Sequence, residues 1–165
     1  MSSRDIVLSS VGFVRHGQDG FVLEIDSAFR PALVGLEGFS HLNVIWWSHH
    51  LDNKESRGIL QCDQPYQNAP ARLGIFATRS PMRPNPLCLS VAPVIDMDIE
   101  AGRIFVAYID AEDETPILDI KPYHPCADRV RDVGVPEWCR HWPVWFEDSG
   151  DFDWEKEMTC SQEVS

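Results

Sequence analysis

The stretch Gly74–Ser90, GIFATRSPMRPNPLCLS, decides how this chain is read. An apolar, strand-like run breaks into a turn rich in arginine and proline and then becomes apolar again. Pro81, Pro84 and Pro86 fix φ and remove backbone donors, so the segment is a stiff, shaped loop rather than helix or central strand. Arg79 and Arg83 stand on that loop. A guanidinium presented this way is a planar fork matched to a carboxylate or phosphate. The alternative is a proline-rich surface turn with solvated arginines.

Upstream of the loop, Ile6–Val14 (IVLSSVGFV) and Phe21–Ile25 (FVLEI) read as strands, joined by turn-forming residues in RHGQDG that suit a hairpin. Asp26–Leu36 places Phe29, Leu33 and Leu36 on one face, and Pro31 restricts it to a short helix. His41–Trp47 is apolar on both faces and reads as a central strand. Asp52–Arg57 reads as a polar connection and Gln61–Arg72, with Pro65 and Pro70, as a meandering loop. Downstream, Leu87–Ile95 reads as a strand that Pro93 confines to an edge or bulge, followed by a turn over Asp96–Gly102 and strands at Ile104–Ile109 and Ile117–Ile120. There is no βαβ alternation and no GxGxxG after a strand. The expected fold is mainly β: one small antiparallel β-barrel of about six strands with one or two short helices.

The chain of 165 residues is 44% apolar with 17 aromatics, enough for one domain with a proper core. Fourteen basic against 26 acidic residues give a net charge of −12, which opposes generic attraction to nucleic-acid phosphates and excludes a DNA-binding class. From Glu137 onward there are 8 acidic and 2 basic residues, so half of the deficit sits in the last 29 and a local basic face elsewhere stays open. The same tail carries Trp138, Trp142, Trp145 and Trp154, which predicts packing on its own domain. Two domain-level segments follow, 1–136 as the barrel domain and 137–165 as an acidic, Trp-rich extension packing on it. No run approaches the roughly 18 to 20 apolar residues of a membrane span, and MSSRDIVLSS lacks a signal-peptide pattern, so a cytoplasmic protein with no membrane partner is expected. Five cysteines without CxxC spacing read as reduced thiols.

Two clusters carry possible chemistry. His49 and His50 follow the central strand, where an extended backbone would point them to opposite faces and away from a shared metal. His41, His49, His50, Cys126, Cys139 and His141 are suitable ligand types at spacings that match no zinc pattern, so no metal is expected. Asp110, Glu112, Asp113 and Glu114 end a strand and read either as a solvated turn or as a cation-holding or general-base group.

Three blocks carry a family resemblance: FSHL at Phe39–Leu42, GIFATRSPMRPNP at Gly74–Pro86, and TPILDIKPY at Thr115–Tyr123. Together they resemble the signature of the TsaA-like, or TrmO, family over roughly residues 6 to 125. The resemblance implies a small β-barrel that binds S-adenosyl-L-methionine near a homodimer interface and methylates N6 of threonylcarbamoyl-adenosine beside the tRNA anticodon. Carried over by motif position, the cofactor contacts fall on His49, His50, Arg79, Leu89, Asp110, Ala111, Glu112 and Asp113, with Asp110 or Asp113 as the base that removes the amine proton. Arg79 would pair with the methionine carboxylate, and an acidic lining would favour the sulfonium.

The chain departs from the family pattern in three places. RPNPIG reads RPNPLC, with Cys88 for glycine near the presumed cofactor; DGTP reads DETP, with Glu114 for glycine in a turn suited to positive φ; and the N-terminal PRQ triplet is absent, Arg15–Gln18 (RHGQ) being a weak substitute. Two other readings stay open, a methyltransferase of a small molecule and a non-catalytic S-adenosylmethionine-binding module.

Overall fold

The computed structural model describes residues 6–17 and 20–159. The chain divides into two compact units, one of Met1–Asn53 with Asn85–Arg129 and one of Lys54–Pro84 with Val130–Ser165.

The first unit is a closed antiparallel barrel. Its strands are β1 (Gly12–Gly17), β2 (Gly20–Ile25), β3 (His41–Trp47), β6 (Leu87–Asp98), β7 (Arg103–Val106) and β8 (Pro116–Pro122), in the order β1-β2-β7-β6-β3-β8. Alternation builds the core: Val14, Leu23, Ile25, Leu42, Val44, Trp46, Ala92, Ile104, Val106 and Ile117 point inward and are buried, with Leu33, Ile109 and Ala111 closing the ends. The expected six-stranded barrel is therefore present. Its central strand has the expected bounds and lies between β6 and β8.

Several boundaries differ from expectation. The first strand begins at Gly12, and Ile6 and Val7 upstream of it are 83% and 90% exposed. β6 runs on to Asp98, because Asp96 and Asp98 pair with Phe105 and Arg103 after a register shift at Val94/Asp96. That irregularity accommodates Pro93 in a strand bonded on both sides, so the proline marks a bulge and not an edge. β7 correspondingly ends at Val106, three residues short of Ile109.

The second unit contains α1 (Lys54–Arg57) and a two-stranded ribbon of β4 (Gln61–Asp63) and β5 (Arg72–Gly74), where a loop and a polar connection were expected. With α2 (Pro125–Asp128) in the first unit and α3 (Trp154–Glu157) in the second, the described residues hold three four-residue α-helices, one more than expected, besides short 3-10 turns. The tail returns to the ribbon loop: Tyr66 bridges Met158, the Gln67 N–H donates to the Glu157 carbonyl at 3.0 Å, and the Thr159 N–H to the Pro65 carbonyl at 3.1 Å. Around this contact, Tyr66, Trp138, Trp142, Phe152 and Trp154 form a chain of ring contacts. Among the described residues, no helix is long and apolar enough to cross a membrane, and Cys62, Cys88, Cys126 and Cys139 are thiols.

Candidate functional site at the barrel seam

Closure of the barrel leaves a thin seam. β1 and β8 share only the pairs Gly12↔Ile117 and Phe13↔Pro116. Beyond them β1 continues, and the segment before β8 becomes its partner: Val14 N–H donates to the Thr115 carbonyl and Glu114 N–H to the Val14 carbonyl, both at 2.9 Å. Ile109, Ala111 and Thr115 are buried, which anchors the segment and turns Asp110, Glu112, Asp113 and Glu114 outward. The acidic cluster is thus a shaped rim, held by its own apolar residues.

β1 binds that rim through side chains as well. The His16 backbone N–H donates to Asp113 Oδ1 at 2.9 Å, and His16 Nε2 lies 2.7 Å from the Ala111 carbonyl. A carbonyl only accepts, so the contact selects the tautomer with the proton on Nε2. The hydrogen bond from His16, seconded by that of Glu114, holds the Asp113 carboxyl below its ordinary value. Arg15 spans Glu24, at 3.0 Å, and Glu114; these bonds and charges raise its pKa against a smaller opposing effect of burial. Glu114 has φ of 63°, the left-handed conformation inferred from the family's glycine at this position. Asp110 neighbours Tyr108, whose phenol is raised by burial and then by the Asp110 charge.

The histidine pair comes to the same rim from β3. The strand ends at Trp47, and His49–Leu51 is a 3-10 turn, so the expectation of two histidines on opposite faces of a strand fails. Their ring centroids are 3.8 Å apart. The turn is pinned from the proline motif: Pro86 is buried, and its carbonyl accepts the Ser48 N–H at 2.9 Å. His50 Nε2 reaches Glu112 Oε2 at 3.2 Å. Desolvation and then the neighbouring His50 charge lower the His49 pKa, partly opposed by Glu112.

Six of the eight predicted cofactor residues, His49, His50, Asp110, Ala111, Glu112 and Asp113, therefore lie on two neighbouring segments joined by the His50–Glu112 contact. Leu89 stands on β6 opposite Ile45 and is 45% exposed. Cys88, opposite Trp46, packs against the buried core, so its side chain and that of Leu89 take opposite faces. Arg79 belongs to the second unit, where it is exposed in the loop after the 3-10 turn Ile75–Ala77. Arg83 braces that loop: its Nη2 donates to the carbonyls of Ile75 and Thr78, each at 3.3 Å, and its guanidinium lies 5.8 Å from the Phe76 ring. Among the described residues no group of three His, Cys, Asp or Glu could hold a metal.

The part that sequence reasoning underrates is the end of β1. Arg15 and His16 enter it only as a substitute for the absent triplet, of which Gln18 lies outside the described residues. The signal was present in the alternation, since Val14 is inward and the next polar residues end the strand.

Comparisons with known proteins agree with this architecture. The family model for the tRNA-methyltransferase O N-terminal domain matches residues 14–129. A probable S-adenosyl-L-methionine-binding protein of Pyrococcus horikoshii is 42% identical over 112 residues, covering 67% of this chain and 77% of that protein. The human tRNA (adenine(37)-N6)-methyltransferase is 38% identical over 108 residues, covering 64% of this chain but 23% of the human protein. The crystal structure of TrmO from Pseudomonas aeruginosa superposes with a TM-score of 0.59 at 30% identity, covering 79% of this chain and 61% of that one.

Proposed function

We propose that this chain, which belongs to the family of the tRNA-methyltransferase O N-terminal domain, is an S-adenosyl-L-methionine-dependent methyltransferase of adenine 37 N6 in tRNA. Threonylcarbamoyl-adenosine is the proposed acceptor nucleoside. The observation that carries the reading is the family match over residues 14–129. It is supported by the names of the archaeal and human relatives and by the chemistry of the seam.

The residues present fit the cofactor. An exposed rim of Asp110, Glu112 and Asp113 suits a sulfonium cation, and the close pair His49–His50 suits a stacked adenine. S-adenosyl-L-methionine supplies an electrophilic methyl group on sulfur. The chain's task is to align N6 with that methyl and to accept the proton N6 loses, so orientation carries most of the work. In this assignment Arg79 pairs with the methionine carboxylate, His49, His50 and Leu89 bound the adenine, and Ala111 and Glu112 line the rim. The Asp113 carboxyl, held below its ordinary value by the His16 N–H, favours its ionised form beside a cation, and Asp110 or Asp113 is the proposed acceptor of the N6 proton. The proposal includes a homodimer, a cytoplasmic location, and one barrel domain over 1–136 with the extension 137–165 packed on its residues 64–70.

Calorimetry with S-adenosyl-L-methionine followed by labelled-methyl transfer to total tRNA tests the reading. Binding and transfer into N6-methylated threonylcarbamoyl-adenosine are expected. Binding with no labelled tRNA would remove tRNA as the acceptor while leaving the cofactor site in place. Arg79→Ala should weaken cofactor affinity about tenfold, the low end of the roughly 1.5–3 kcal/mol of a charged hydrogen bond, since Arg79 is exposed. Unchanged affinity would remove Arg79 from the site.

A further inference from the structure

The second unit contains an open cavity of about 820 Å³ whose walls include Asn68, Pro70, Glu137, Trp138, Arg140 and His141. Residues 137–141 lie past the matched family segment, which ends at residue 129. Nothing in the proposed methyl-transfer site uses them.

Trp138 is a fixed aromatic wall. One face stacks on Tyr66, with centroids 5.6 Å apart and planes 10° from parallel. Trp142 stands perpendicular to both, 4.8 Å from Tyr66 and 5.4 Å from Trp138. Three nearly equal separations place Trp142 beside the stacked pair, and Trp138 itself lines the cavity. Its neighbours Trp142 and His141 are both held by Glu157, a carboxylate only 4% exposed that accepts the Trp142 indole N–H at 3.0 Å and lies 3.0 Å from His141 Nε2. His141, Asn68 and the Glu137–Arg140 pair, 2.6 Å apart, bring donor and acceptor side chains to the cavity lining. Glu137 and Arg140 cancel in charge, so the cavity offers a flat face with hydrogen-bonding edges and no net attraction for a phosphate.

We propose that this cavity is a nucleobase-binding site, in which one unpaired base of the RNA acceptor stacks on Trp138 with its edge toward Asn68, Arg140 and His141. This rests on the tRNA methyltransferase reading. A base is the ligand that combines a planar face with both donor and acceptor edges. The strongly acidic tail, by contrast, opposes generic backbone binding. A free nucleoside offers the same chemistry, and the test separates the two sources.

The experiment uses the full chain and its Trp138→Ala and Trp138→Phe variants, reading the KM for tRNA, cofactor affinity and thermal midpoint. Loss of the stack should raise the KM for tRNA roughly ten- to a hundredfold in Trp138→Ala. Trp138→Phe should stay within about threefold, because it keeps an aromatic plane, and cofactor affinity should stay unchanged in both. If the parent chain methylates tRNA and Trp138→Ala leaves the KM unchanged, or if Trp138→Phe is as defective as Trp138→Ala, the base site is overturned while the methyltransferase reading stands. If the parent chain methylates no tRNA, that reading has failed, and quenching of tryptophan fluorescence by free adenosine decides the cavity. Quenching that Trp138→Ala removes would support a nucleoside site, and its absence in the parent chain would overturn the proposal.

Discussion

Two carboxylates in this chain are held by similar contacts in opposite surroundings. Asp113, on the barrel seam, is exposed and accepts the backbone N–H of His16 at 2.9 Å. Glu157, in the aromatic unit, is 4% exposed and meets the Trp142 indole and the His141 ring at 3.0 Å each. Water competes at the seam, so its hydrogen bonds shift protonation and leave the carboxylates available to a ligand. Water is excluded at Glu157, so the same chemistry becomes structural, because a buried polar group that loses its partner has nothing to replace it. The two sites therefore differ in kind, a rim that can act on a ligand and a strut that cannot.

Removal of the strut should have the largest effect. Glu157→Ala leaves the Trp142 indole N–H and the His141 ring without their buried partner and should destabilise the second unit by about 3 kcal/mol. Chemical denaturation followed by tryptophan fluorescence measures it. Asp113→Asn should leave that transition in place, since its partner is a solvated backbone amide. A Glu157→Ala transition at the parent midpoint would show that the buried carboxylate is not a strut.

A smaller effect is expected at the turn between the two roles. Glu114 sits at φ 63°, which costs a residue with a Cβ roughly 1–2 kcal/mol relative to glycine. Its ion pair with Arg15 is largely exposed, 35% and 64% at the two side chains, and is worth about 0.5 kcal/mol. Glu114→Gln removes the charge and keeps the backbone cost, whereas Glu114→Gly removes both. Glu114→Gly should therefore be the more stable of the two by about 1 kcal/mol in urea. Equal stabilities would mean that the turn carries no strain.

The barrel was legible where an apolar run fills a whole strand. His41–Trp47, read as central from apolar residues on both faces, has the expected bounds, although only the face of Leu42, Val44 and Trp46 is buried. β4 and β5 are three residues each, too short for any period, and Pro65 and Pro70 between them read as loop punctuation. Ile6–Val11 failed in the other direction: its β-branched residues suit a strand, but the ladder with β8 starts only at Gly12. At the site, residue types were readable and their placement was not. The meeting of His49 and His50 depends on a 3-10 turn that Pro86, far along the chain, holds by one backbone hydrogen bond. The role of Arg15 and His16 depends on how far β1 outruns β8, a property of closure that no local pattern encodes. The buried setting of Glu157 likewise follows from tail residues returning to Tyr66 and Gln67.

The finest distinction is within the seam itself, in which acid each group notices. His49 is depressed below the ordinary 6.5, and Asp113 below the ordinary 3.8. For both, the unfolded chain binds protons more readily than the folded one, so each contributes stability at higher pH that is lost as pH falls. For His49 the loss begins below pH 6.5, and for Asp113 only below pH 3.8. NMR titration should therefore find the His49 midpoint under 6.5 and the rim aspartate still ionised when that titration is complete. Desolvation is the main cause at His49, followed by the His50 charge and opposed by Glu112, so two variants should move its midpoint in opposite directions. His50→Gln should raise it by removing a neighbouring cation, and Glu112→Gln should lower it by removing the anion that favours the protonated ring. Midpoints that move together, or not at all, would mean that the pair and the rim do not share one electrostatic environment in solution, and the seam would then be two separate surfaces.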